Sequence, residues 1–198
     1  MATTEPKRTA RHIKMPVTLA NTLSILRILL IPVFMAFMLG LEGIPYREYI
    51  AVGIFVLASV TDTLDGYFAR SRNAVTVLGK FLDPLADKML VSAALVSLVQ
   101  LDRLSAWVAM VIISREFAVS GLRLVAAAEQ VVIPASPLGK IKTFSQIVAV
   151  TALILPEFGF VMGKPLSWYL IYLAALLTVI SGIDYFVKAR DKLRVPGD

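Results

Sequence analysis

Apolar residues run along the chain in six long stretches, at about 18–40, 48–69, 84–101, 105–127, 140–157 and 166–187. Proline and glycine punctuate the gaps: Gly43-Ile44-Pro45, Pro134-Ala135-Ser136-Pro137 and Gly163-Lys164-Pro165. A bilayer span needs roughly 20 mostly apolar residues. Each stretch is close to that length, and the gaps leave room only for short connections. The pattern predicts an all-α integral membrane protein of six transmembrane helices. Residues 1–15 form a basic segment at the membrane surface, 16–188 the six-helix domain and 189–198 a tail. There is no internal repeat. The first apolar stretch shows no small-residue cleavage site after it and is read as a retained span.

Composition agrees with this pattern. The chain of 198 residues is 58% hydrophobic and 17% charged, with a mean hydropathy of +0.77. Soluble domains are about 45–50% apolar and about a quarter charged. The absence of cysteine rules out disulfides and thiolate metal sites. A net charge of +6 raises the question of nucleic acid, but the basic residues gather at the ends of apolar stretches instead of in one run. Lys7, Arg8, Arg11, Lys14, Arg70, Arg72, Lys80, Lys188, Arg190, Lys192 and Arg194 fall on one side of the alternating spans; Arg47, Arg103 and Lys164 fall on the other. By the positive-inside rule both termini are cytoplasmic.

Four acidic residues break the apolar pattern. Asp62 and Asp65 lie toward the cytoplasmic end of the second span, and Asp83 and Asp87 at the start of the third. An ionised Asp at a helix centre costs about 2.5–3.5 kcal/mol on the insertion scale, and four carboxylates together also repel one another, so the group needs cations. The spacings i,i+3 and i,i+4 put each pair on one helical face. Two antiparallel neighbouring spans would bring all four to one cavity. Oxygen ligands without Cys or His favour Mg²⁺ or Mn²⁺, and several carboxylates suit two ions acting on a displacement at phosphorus. Gly66 and Gly79 leave room for a bulky ligand against the helix backbone. Arg70, one turn past Gly66, can reach a phosphate held there. Pro84 is expected in the first turn of its helix, where its missing N–H costs little. The bland alternative, surface charges paired with Arg70, Arg72, Lys80 and Lys88, accounts for one Asp but not for this whole constellation.

The run Asp62-Thr63-Leu64-Asp65-Gly66-Tyr67-Phe68-Ala69-Arg70, then eight residues, then Gly79-Lys80-Phe81-Leu82-Asp83-Pro84-Leu85-Ala86-Asp87 resembles the signature of the CDP-alcohol phosphotransferase family, with every fixed position filled. The resemblance implies that Asp62, Asp65, Asp83 and Asp87 hold two Mg²⁺ (or Mn²⁺) ions, with Asp87 also the general base. It implies that Gly66, Arg70, Gly79 and Thr76 bind CDP-diacylglycerol, with Asn21 and Arg27 as weaker contacts in the first span. It further implies a homodimer in a bacterial cytoplasmic membrane, with a site open to the cytoplasm and sideways to lipid.

The acceptor is read from Arg115, Arg123, Lys140 and Lys142, four cations near the cytoplasmic ends of the fourth and fifth spans. They suit an acceptor with its own phosphate, and Glu116 can position one of them. The alternative for Lys140 and Lys142 is ordinary inside charge. The run Arg115-Glu116-Phe117, Arg123 and Gly139-Lys140-Ile141-Lys142-Thr143 is similar to the branch of the family that uses glycerol 3-phosphate. Inositol 1-phosphate and phosphatidylglycerol are rival acceptors. A membrane prenyltransferase or a cation transporter would be a different class of protein. Trp107, Trp168 and Tyr169 read as interfacial anchors. Asp184 either pairs with Lys188 at i,i+4 or faces the donor cavity.

Overall fold

A computed structural model describes residues 19–41, 43–71, 77–131, 136–155, 159–161 and 163–193; within its helices the side chains of 19–21, 62–71, 77–84, 191 and 193 are outside the description. Six α-helices follow one another among these residues: α1 Leu19–Met35, α2 Arg47–Ser71, α3 Val77–Gln100, α4 Ala106–Ala128, α5 Pro137–Ile154 and α6 Leu166–Leu193. A π-helical turn, Ala36–Gly40, continues α1. Before α6, Phe160–Val161 pairs antiparallel with Lys164–Pro165, in the register Phe160 with Pro165 and Val161 with Lys164. Gly163 lies in its turn at φ +79°, a region that only glycine enters without strain.

Helix bounds follow the apolar stretches with two differences. The third helix begins at Val77, so Pro84 lies inside it and not in its first turn; Pro84 therefore leaves one interior carbonyl without its i→i−4 partner. The last helix continues to Leu193, through residues expected in the tail. Its final turn carries Arg190 and Lys192, cations that favour a helix C-terminus.

Buried positions recur at three- and four-residue intervals. On α4 they are Ala109, Ile112, Glu116, Val119 and Ala126; on α5, Lys142, Gln146, Ala149 and Leu153, with Val150, Ala152 and Ile154 also buried where that helix enters the core. On α6 they run Ile171, Ala174, Thr178, Ser181, Tyr185 and Ala189. At the end away from the charges these stripes are apolar and merge with Phe34, Met38, Phe55, Leu90, Leu95 and Leu98 in one core. The rings of Phe34 and Phe55 are 6.1 Å apart and tilted, a geometry worth about 1 kcal/mol beyond area burial. Alanines such as Ala51, Ala94 and Ala174 are fully buried. Small residues at helix contacts let backbones approach closely, which drives association where lipid removes the hydrophobic force. The most extensive contacts are α5 with α6, α1 with α3, and α4 with α6.

The outer surface is also apolar. Leu29, Leu57, Met110, Leu176 and Ile183 are each more than half exposed, which would be a liability in water. Among the described residues two segments are long and apolar enough to cross a membrane, Thr22–Gly40 and Leu166–Arg190. In α4 and α5 the apolar run is interrupted by Arg115, Glu116 and Arg123, and by Lys140, Lys142 and Gln146. The same residues build the site.

Candidate active site

Toward the end of the bundle where α4 finishes and α5 begins, the inward stripes turn polar at one level and enclose a cavity of about 860 Å³. Ser59 lines it from α2, Asp87 and Lys88 from α3, Arg115, Glu116 and Arg123 from α4, Lys140, Lys142 and Gln146 from α5, and Ser181 and Tyr185 from α6. Five basic side chains therefore face two carboxylates.

Glu116 is the centre of this charge arrangement. Lys88 Nζ donates to its Oε2 at 3.2 Å, Arg115 Nη1 donates to its Oε1 at 3.2 Å, and Lys142 Nζ donates to the same Oε1. Glu116, expected to position one cation, holds three. Its place on the inward stripe of α4 explains this, because Lys88 and Lys142 approach from the helices on either side. The Lys142 side chain is only 5% exposed. A charge so deeply placed is tolerated only when paired, so Lys142 is no ordinary inside charge. Lys140, two residues away, is exposed.

Arg115 is aimed from two directions. Its Nη2 donates to Ser181 Oγ at 2.7 Å, and its stem crosses α6 directly over Gly182. A Cβ at Gly182 would lie 3.0 Å from Arg115 Cγ and 3.3 Å from its Nε. An alanine there would push the arginine stem aside by a few tenths of an ångström. Arg123 lies against Tyr185. At the cavity's floor Gln146 Nε2 donates to Thr178 Oγ1 at 2.9 Å, and Thr178 donates to the Ala174 carbonyl at 2.6 Å.

The structure thus brings Asp87 into the same cavity as Arg115, Arg123, Lys140 and Lys142. Arg27 is buried on α1, outside the cavity's lining. The side chains of Asn21, Asp62, Asp65, Arg70 and Asp83 lie outside the described residues, as do the surroundings of Gly66 and Gly79 and the whole of Thr76. The backbone at Asp62, Asp65, Asp83 and Asp87 is helical, so each pair keeps its one-turn spacing. Asp184 pairs with Lys188 at 2.7 Å, the first of its two expected roles. Ser59, Gln146, Ser181 and Gly182 are members of the site that sequence reasoning missed. Their signal was a polar or small residue repeating on an inward stripe.

A helical membrane bundle with an acidic residue and a cation cluster in one cavity is the setting for a phosphoryl-group transferase acting at the membrane. Residues 17–180 match the family model described as CDP-alcohol phosphatidyltransferase, and the chain belongs to that family. It is 49% identical over 187 residues to a CDP-diacylglycerol–glycerol-3-phosphate 3-phosphatidyltransferase of Bacillus subtilis strain 168, covering 89% of this chain and 97% of the relative. It is 40% identical to a protein of that name from Haemophilus influenzae, over 86% of this chain and 92% of the relative. A probable phosphatidylglycerophosphate synthase of Mycobacterium tuberculosis strain H37Rv is 42% identical over 86% of this chain and 81% of its own length. Membership sets aside the prenyltransferase and transporter readings.

Proposed function

We propose that the protein transfers the phosphatidyl group of CDP-diacylglycerol to the primary hydroxyl of glycerol 3-phosphate, giving phosphatidylglycerophosphate and CMP. The observation that carries this reading is the single cavity shared by Asp87 and the Arg115–Lys142 cation cluster. It is supported by relatives named for that reaction over most of the chain.

The cations bind the phosphate of the acceptor, with Arg115 presented as a fork fixed by Ser181 and Glu116. Asp87 takes the proton of the attacking hydroxyl. The acceptor oxygen bonds to the phosphorus that carries diacylglycerol as the bond to CMP breaks. Gly66, Arg70, Thr76 and Gly79 hold the CDP moiety, with Asn21 and Arg27 nearby. The carboxylates present fit a hard cation, because their donors are all oxygen and the chain has no cysteine. Asp62, Asp65, Asp83 and Asp87 would hold two Mg²⁺ ions, which when bound supply charge neutralisation to the pyrophosphate and the departing CMP. The chain spans the bilayer six times with both termini in the cytoplasm, as a homodimer, and its site opens to the cytoplasm.

The test is CMP release from CDP-diacylglycerol by the detergent-purified protein, with and without Mg²⁺. Separate reactions would offer glycerol 3-phosphate, inositol 1-phosphate, phosphatidylglycerol or serine. Metal-dependent release with glycerol 3-phosphate alone, lost by at least about a hundredfold in Asp87→Asn, is the expected result, since a general base contributes roughly 10²–10⁴-fold. Release with another acceptor instead would overturn the choice of alcohol.

A further inference from the structure

The floor of the cavity holds a side chain whose two ends are sorted by a proton argument. Thr178 Oγ1 lies 2.6 Å from the carbonyl oxygen of Ala174. Two oxygens come so close only with a proton between them, and a carbonyl has none to give. The hydroxyl proton of Thr178 is therefore used on Ala174. Toward Gln146, at 2.9 Å, Thr178 can only accept. The amide nitrogen of Gln146 must be the end that faces it, which leaves the Gln146 carbonyl oxygen to the cavity that this residue lines. Thr178 is fully buried and Gln146 is 4% exposed, so the arrangement is sheltered from bulk water.

The rest of the lining is rich in donors: Lys88, Arg115, Arg123, Lys140 and Lys142. Of the two carboxylates in the lining, Glu116 already takes three cations, and Asp87 is assigned the proton of the attacking hydroxyl. An alcohol held by its phosphate would still have a second hydroxyl proton to place. We infer that Gln146 Oε1 accepts a hydrogen bond from the non-reacting hydroxyl of the acceptor, and that the Thr178–Gln146 pair makes the site select a polyol phosphate over a simple alkanol phosphate. This inference rests on the reading of the cavity as the glycerol 3-phosphate site. There the C2 hydroxyl is the one left over.

The experiment compares kcat/KM for glycerol 3-phosphate with that for 3-hydroxypropyl phosphate, which lacks only the C2 hydroxyl. It uses the full-length protein in detergent with CDP-diacylglycerol and Mg²⁺. A buried hydrogen bond of ordinary strength corresponds to a preference of about tenfold in the wild type. Gln146→Leu should bring the ratio close to one, and Thr178→Val, which keeps the glutamine but releases its amide, should move it the same way. Should Gln146→Leu fail to run as a monodisperse species, the ratio in Thr178→Val decides. A ratio unchanged in the variants, or equal losses on both acceptors, overturns the role of Gln146 and leaves the proposed reaction standing. A wild type that turns over neither phosphate but uses another alcohol overturns the acceptor reading, and the inference with it.

Discussion

Single residues in this protein act through what they forbid as much as through what they bind. Glu116 pairs with Lys88, Arg115 and Lys142 at once. Removing one partner of a buried ion pair costs about 3–5 kcal/mol, because the other charge is left uncompensated. Glu116→Leu should therefore destabilise the protein by at least that amount in thermal unfolding in detergent. Lys142→Met should cost less, since its carboxylate keeps two cations; a larger loss for Lys142→Met would contradict the hub. Glycines separate in the same way. At Gly121, on α4, an added methyl meets nothing within 4 Å, so Gly121→Ala should raise stability by roughly 0.5–1 kcal/mol through helix propensity. Gly182→Ala must displace the stem of Arg115. It should raise KM for glycerol 3-phosphate several-fold, while Gly121→Ala leaves KM alone. Steady-state kinetics on the two variants check this.

Elements are tied together at the end opposite the site by one arginine. Arg103, in the connection between α3 and α4, donates from Nη1 to the carbonyls of Ile154 at 2.8 Å and Leu153 at 3.4 Å, and pairs through Nη2 with Glu48. Cation and carbonyls meet at the negative end of α5, while Glu48 sits in the first turn of α2, so both contacts also follow the helix dipoles. The connection is held in place by its own backbone. Arg103 N bonds Leu98 O at 2.9 Å and Asp102 N bonds Val99 O at 3.1 Å, with Asp102 at φ +56°, the paired bonds of a Schellman ending. Arg103→Ala should lower stability by about 1–2 kcal/mol, because it removes charge-assisted hydrogen bonds from a partly exposed side chain. Its acceptor kinetics should be unchanged, as the clamp lies far along the bundle from Gln146 and Lys142. Thermal unfolding and KM together distinguish this from an effect on the site.

At the scale of the whole molecule the surface and the charges make one statement. Large apolar side chains are exposed along the described helices, and the basic residues gather at the ends of apolar stretches. The chain contains no cysteine, so single-cysteine variants report topology without background. With both termini inside, Ala10→Cys and Gly197→Cys should resist a membrane-impermeant maleimide in intact cells, and Gly43→Cys should react. Labelling of the termini from outside would reverse the orientation drawn from the positive-inside rule.

Six helices were legible from the six apolar stretches because an apolar run of span length has few other fates. The ends were less legible. Pro84 looked like a helix start, yet α3 begins seven residues earlier, since a proline inside an apolar helix costs one backbone bond that the surrounding bundle can outweigh. The family was legible as well, in eight residues at fixed spacing between Asp62 and Asp87, because local helical geometry alone puts such residues in register. Residues far apart in the chain were another matter. That Lys88, Arg115 and Lys142 converge on one carboxylate, that the stem of Arg115 lies over Gly182, and that the Gln146 amide donates to Thr178 follow only from how α3, α4, α5 and α6 are packed. Sequence alone determined which stretches are helical, where the basic residues fall along the chain and which chemistry the aspartate motif suits, all of them properties of one segment at a time. Tertiary structure decided which side chains share a cavity and which way they point, because those depend on helix rotation and depth, set by packing between segments that sequence order leaves apart.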